Sequence, residues 1–144
     1  MRENSNIEVY TSVLIIIALI NIIFSTYFIT ILLMGVVFKI FLNSFAKGHY
    51  YISFLAFISF LVIENIQGFY IFSLAFIALT LYYFIIPRIK HIFSSTIMAE
   101  VIFVLLFYIG VLLINKINIL VSSEIFITLL LNILFDSFIV GFML

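Results

Sequence analysis

Cysteine is absent from this 144-residue chain. That excludes disulfides, thiolate nucleophiles, iron–sulfur ligation and Cys-ligated zinc. Tryptophan is also absent, proline occurs once (Pro87) and aspartate once (Asp136). A single Asp excludes an intramembrane aspartyl peptidase, which needs two carboxylates sharing a proton. Charged residues make up only 8% of the chain, against about 25% in soluble domains. Six basic and six acidic residues cancel, leaving no basic stripe to hold nucleic acid. The five glycines form neither a phosphate loop nor a G-x-x-x-G pair. His49 and His91 have no fitting carboxylate cluster for a metal and sit at the rim rather than beside a buried Ser. No catalytic residue, metal or cofactor is therefore expected, and the chain reads as non-enzymatic.

What is present is apolar. Hydrophobic residues make up 67% of the chain, 19 of them Phe, and the mean hydropathy is +1.48. A chain this short has too much surface for its volume to hide that fraction from water. An integral membrane protein embedded in lipid is expected. The apolar runs are continuous, as in Val13–Ile20 and Ile125–Leu131. Transmembrane strands would alternate at period two, so the expected class is all-α, a polytopic single-domain bundle. At roughly 20 residues per crossing, six spans are expected, over about 7–24, 28–46, 49–66, 69–86, 96–114 and 124–144. The Ser25-Thr26-Tyr27 break is the softest, and one long tilted helix there would give five spans. Pro87 fits just past a helix end, opening the longest polar loop, and Ser123 fits a cap for the last helix. The apolar stretch after Arg2 is long and has no small-x-small site, so signal-peptide cleavage is not expected.

The basic residues orient the spans. With both termini cytoplasmic, Arg2, Lys47, Arg88 and Lys90 lie inside and only Lys116 outside. Tyr50, Tyr51, Tyr82 and Tyr83 then form an inner aromatic belt, and Tyr27 and Tyr70 an outer one. The expected location is a bacterial cytoplasmic membrane.

Polar residues inside the spans are costly and therefore informative. Thr128, Asn132 and Asp136 recur at four-residue spacing and form one stripe on the last helix. The stripe must face another helix, a partner or a cavity, and helix-packing hydrogen bonds are its plainest role. Lys39 lies at a depth similar to that of Asp136. It either pairs with that acid or snorkels to the headgroups. Glu100, one turn inside the fifth span, is a second partner for Lys39 or for the rim cations Arg88 and Lys90. The expected nearest ionisable neighbour of Asp136 is Lys39 or Glu100. Glu64, Lys116 and Glu124 are expected to form a solvated cluster at the outer side. Asn21 is expected to make an interhelical hydrogen bond.

The stretch from Phe54 to Gly68 ends in Glu64-Asn65-Ile66-Gln67-Gly68. It resembles the third span of the rod shape-determining protein MreD family, which ends in an acid four residues before a Gly. Asn132 falls where that family often has Asn. The chain departs from the pattern in three ways. Glu64 replaces the usual Asp, Phe72 stands where a second Gly is expected four residues after Gly68, and the segment before Phe54 is shorter than usual. The resemblance implies a scaffold of the cell-wall elongation machinery. Its implied partners are a single-span MreC-like protein and other elongation-complex proteins: RodA, a class B penicillin-binding transpeptidase and MreB. It also implies a fold similar to the substrate-binding subunits of energy-coupling-factor transporters. A small-molecule capture subunit is therefore the alternative. In either case Gly68 is expected where a Cβ would crowd the turn.

Overall fold

The structure, a computed structural model, describes residues 2–25, 33–92, 96–116 and 123–142. The chain is all-α: no strand occurs among the described residues. The helices are α1 (Arg2–Ser25), α2 (Met34–Ala46), α3 (Tyr50–Gln67), α4 (Ser73–Thr80), α5 (Ile86–Ile92), α6 (Thr96–Lys116) and α7 (Ser123–Phe142). A five-residue π-helical turn, Leu81–Ile85, joins α4 to α5. By length and composition α3 is long and apolar enough to cross a bilayer. Five further apolar stretches of 10–17 residues lie on the other helices.

The centre of the bundle is α2. It packs on α1, α3, α6 and α7. Met34 to Leu42 and Ser44 are all buried. The helix carries Lys39 and Ser44 among its buried residues, and polar groups within a span belong inside the bundle rather than against lipid. Aromatic rings fill the space beside it. Phe38 stacks on Phe107 of α6 at 4.4 Å between ring centroids, and Phe60 of α3 stacks on the same ring at 5.8 Å. Offset ring pairs of this kind add about 0.5–1.5 kcal/mol beyond their area burial.

The limits of the second and fourth helices differ from the sequence expectation, and α1 begins at Arg2 rather than near residue 7. The second helix begins at Met34, not near residue 28: Leu33 has φ 48°, the left-handed region, and cannot continue a helix. Residues 28–32 of the expected span lie outside the described residues, as does the Ser25-Thr26-Tyr27 break beyond Ser25. The fourth helix begins at Ser73 and does not stop at Ile86. It runs through Pro87 to Ile92. The π turn is the physical reason. Pro87 has no N–H, and in a regular helix its ring would strike the carbonyl four residues earlier. Here Ile86 N–H donates instead to Leu81 O, five residues back, and the widened turn admits the ring.

This assigns the extra residue of the π turn to Pro87. Deleting Phe84, which is exposed, should restore α-helical spacing and drive the proline ring into the helix, at a cost of about 3 kcal/mol. Deleting Phe84 together with Pro87→Ala should recover most of that loss. Thermal unfolding of the purified variants in mild detergent checks it. Equal losses in both would mean that the π turn has another cause.

Candidate functional site: two buried carboxylates at helix starts

Neither α2 nor α4 has a side-chain cap of its own. The residues preceding them, Leu33 and Phe72, are both left-handed (φ 48° and φ 69°), and neither can offer a side-chain acceptor. The first N–H groups of a helix have no partner within it, so they must find one elsewhere. Both helices find an acid from another helix.

Glu64 serves α4. Its helix, α3, closes at Gly68, which has φ 68° and donates its N–H to Glu64 O. Phe69 N–H donates to the same oxygen at 2.9 Å. The side chain then reaches across the turn. Glu64 Oε2 accepts from Phe72 N–H at 2.8 Å, and Oε1 accepts from Leu74 N–H at 2.6 Å and from the Ser73 hydroxyl at 3.3 Å. Glu64 is only 1% exposed. This corrects the expectation of a solvated outer cluster: a carboxylate with three donors around it is drawn in, and negative charge at a helix start also suits the helix dipole. The side chains of Lys116 and Glu124 lie outside the described residues. The reading of Gly68 is corrected as well. Nothing lies within 4 Å of a Cβ built there, so crowding is not the constraint; the left-handed backbone is.

Asp136 serves α2. Its Oδ2 accepts from Gly35 N–H at 2.6 Å and from the Tyr108 hydroxyl of α6 at 2.5 Å. Asp136 is fully buried, and among the described residues its Oδ1 has no hydrogen-bond partner. Asn132, one turn earlier, is also buried, on the face that carries Leu129 and Val140. The side chain of Thr128, the third member of the predicted stripe, lies outside the described residues. The approach of α2 to α7 is set by Gly35. A Cβ there would stand 2.8 Å from Asp136 Oδ2 and 2.8 Å from Val104 Cγ1.

Lys39 does not join this acid. It forms an ion pair with Glu100 of α6, with both side chains largely buried. The expected neighbour of Asp136, Lys39 or Glu100, is thereby corrected to the Tyr108 hydroxyl, and the snorkelling alternative for Lys39 falls with it. The physical reason is azimuth. Depth along a helix can be counted from the sequence, but α2 packs on both α6 and α7, and its Lys39 side chain is engaged by α6. Glu100 is thus paired with Lys39; the side chain of the rim cation Lys90 lies outside the described residues. Asn21, buried on α1, donates within its own helix to Ile17 O at 3.0 Å.

Sequence reasoning missed Gly35 and Tyr108. Both left a weak signal. Gly35 is the lone glycine of α2, and Tyr108 is the one hydroxyl between Glu100 and Ile114. Chemically, both acids act as acceptors that tie one helix to the start of another. Among the described residues no group of three His, Asp or Glu side chains is placed to hold a metal ion. No protein-family model, curated protein or solved structure matches the chain.

The pairing has a direct test in mutant cycles. Lys39→Met or Glu100→Gln alone should cost about 3–5 kcal/mol, because each leaves a buried charge uncompensated, and the double variant should cost less than the sum. Lys39→Met with Asp136→Asn should be closer to additive. Gly35→Ala should destabilise by about 1–3 kcal/mol through overpacking against Asp136 and Val104. Thermal unfolding reads all of these. Strong coupling of Lys39 to Asp136 but not to Glu100 would contradict the assignment.

Proposed function

We propose that the chain is an integral membrane scaffold of the bacterial cell-wall elongation machinery, with six spans and both termini cytoplasmic, and that it binds a single-span MreC-like partner. The observation that carries the family part of this reading is the turn after α3. The acid of the MreD-like pattern, Glu64, is the residue that caps α4. Gly68 is left-handed, and so is Phe72, which stands where the pattern has its second glycine. A left-handed residue is where glycine costs least. An acid and two left-handed positions form one structural unit in this chain, and that unit is what supports the resemblance.

Placement in a membrane rests on the exterior. Large apolar side chains are exposed on α1, α3, α4, α6 and α7: Ile16 and Ile23, Phe54, Phe76, Leu113, and Leu134 with Phe138. Soluble monomers rarely expose contiguous apolar patches beyond a few hundred Å². The same membrane placement accounts for the interior. Hydrocarbon offers no donors or acceptors, so a helix start inside the bundle needs a protein partner, and Glu64 and Asp136 are such partners. The alternative, a small-molecule capture subunit, is less favoured because Phe38, Phe60 and Phe107 fill the space between α2, α3 and α6.

The Cys-free background makes topology testable. Cys at positions 47 and 88 should be reached only from the cytoplasm, and Cys at position 67 only from outside. Labelling of position 88 from outside would overturn the orientation. Mild-detergent purification should recover a single-span, coiled-coil-bearing protein. Recovery of an ATPase-driven transport module instead would move the function to the capture subunit.

A further inference from the structure

A small cleft opens between the second half of α2, the π turn with the start of α5, and the first half of α6. It is lined by Leu42, Ala46, Tyr82, Ile86 and Phe103, with Asn43 and Glu100 as its polar members. Its volume is about 40 Å³, room for a few methylenes or a water, not for a folded ligand. Three features make it more than a packing gap. The π turn brings Tyr82 and Ile86 to its wall. Glu100 is neutralised by Lys39, so the cleft holds no free anion from this pair. Its two walls run directly into exposed cations: Ala46 is followed by Lys47, and Ile86 is followed, past Pro87, by Arg88.

We propose that this cleft is a binding site for one anionic phospholipid of the inner leaflet, with Lys47 and Arg88 on its phosphate and part of an acyl chain against Leu42, Ile86 and Phe103. The site rests on the membrane reading above. Charge selects the occupant. Exposed cations follow the lining residues Ala46 and Ile86 in the chain, the slot's one carboxylate is already paired, and basic pockets between helices on the cytoplasmic side suit anionic headgroups. Asn43 and Tyr82 line the cleft and supply hydrogen-bonding groups for the lipid's polar linkage. Tyr82 is itself held in place: its ring packs edge-on against Phe45 at 5.0 Å. The exposed Tyr50, Tyr51 and Tyr83 share this end of the bundle and suit the headgroup zone.

The test uses the full chain in detergent and in nanodiscs. Phosphatidylglycerol added to the detergent-solubilised protein should raise its unfolding temperature by several degrees more than phosphatidylcholine does. Native mass spectrometry should show one retained phosphatidylglycerol. Lys47→Gln with Arg88→Gln should abolish the preference, and so should Ala46→Phe, which fills the slot without changing charge. Arg2→Gln with Lys116→Gln, an equal loss of charge elsewhere, should keep it. Equal stabilisation by both lipids would overturn the site. So would loss of the preference in the Arg2/Lys116 control, since that outcome means diffuse attraction to the bilayer surface. Reconstitution into phosphatidylcholine nanodiscs separates the two claims. A chain that enters them without an anionic preference keeps the membrane reading and loses the site, whereas one that stays soluble without detergent or lipid loses both.

Discussion

An unsatisfied backbone N–H inside an apolar bundle has no water to turn to, and this constraint organises the molecule. Two helices, α2 and α4, start without a side-chain cap. Each start is closed by a buried acid carried on a different helix, Asp136 for α2 and Glu64 for α4. An orphaned buried donor costs about 1–3 kcal/mol, and a buried carboxylate without donors costs more. Placing the two needs together resolves both. The caps therefore do what short Ser or Asp caps do elsewhere, but they also dock helices distant in sequence. Asp136 and Gly35 are 101 residues apart.

The consequences spread from α2. Because Gly35 presents no side chain, α7 and Val104 of α6 can come close enough for Asp136 to reach the backbone. Tyr108 adds a second donor from α6, so three helices meet at one oxygen. One turn along, Lys39 is bound to Glu100 on the same α6. Two polar ties and the Phe38–Phe107 stack thus hold α2 to α6 along its length. Glu64, Asp136 and the Lys39–Glu100 pair each lie where a slip of one helix against the next would leave a donor, an acceptor or a charge unpaired.

Much of this was legible in the sequence, and the misses share a cause. Continuous apolar runs gave the helical class and most helix positions. The stripe logic identified Asn132 and Asp136 as facing protein, and both are buried. Periodicity reports which face of a helix is buried, not which neighbour meets it, so depth leaves Lys39 open between Asp136 and Glu100, and the packing of α2 on α6 decides for Glu100. The start of α2 was missed because Leu33 is left-handed with nothing in its residue type to show it. Pro87 was read as a terminator because a proline usually is one, whereas one extra residue in the π turn lets the helix continue. Glu64 was read as solvated because it sits beside a turn. Its burial depends on the Phe72–Leu74 backbone, which no local pattern reveals.

The distant cap on α2 also bears on how the chain is made. Ribosomes deliver α2 well before α7, and domains assemble as their segments emerge. Until Asp136 has been synthesised and inserted, the start of the most buried helix in the bundle lacks the acceptor that closes it. α2 cannot reach its final state on its own or within a nascent hairpin with α3. A segment made 101 residues later completes the start of α2, and a chain interrupted before α7 carries its defect at the centre of the bundle.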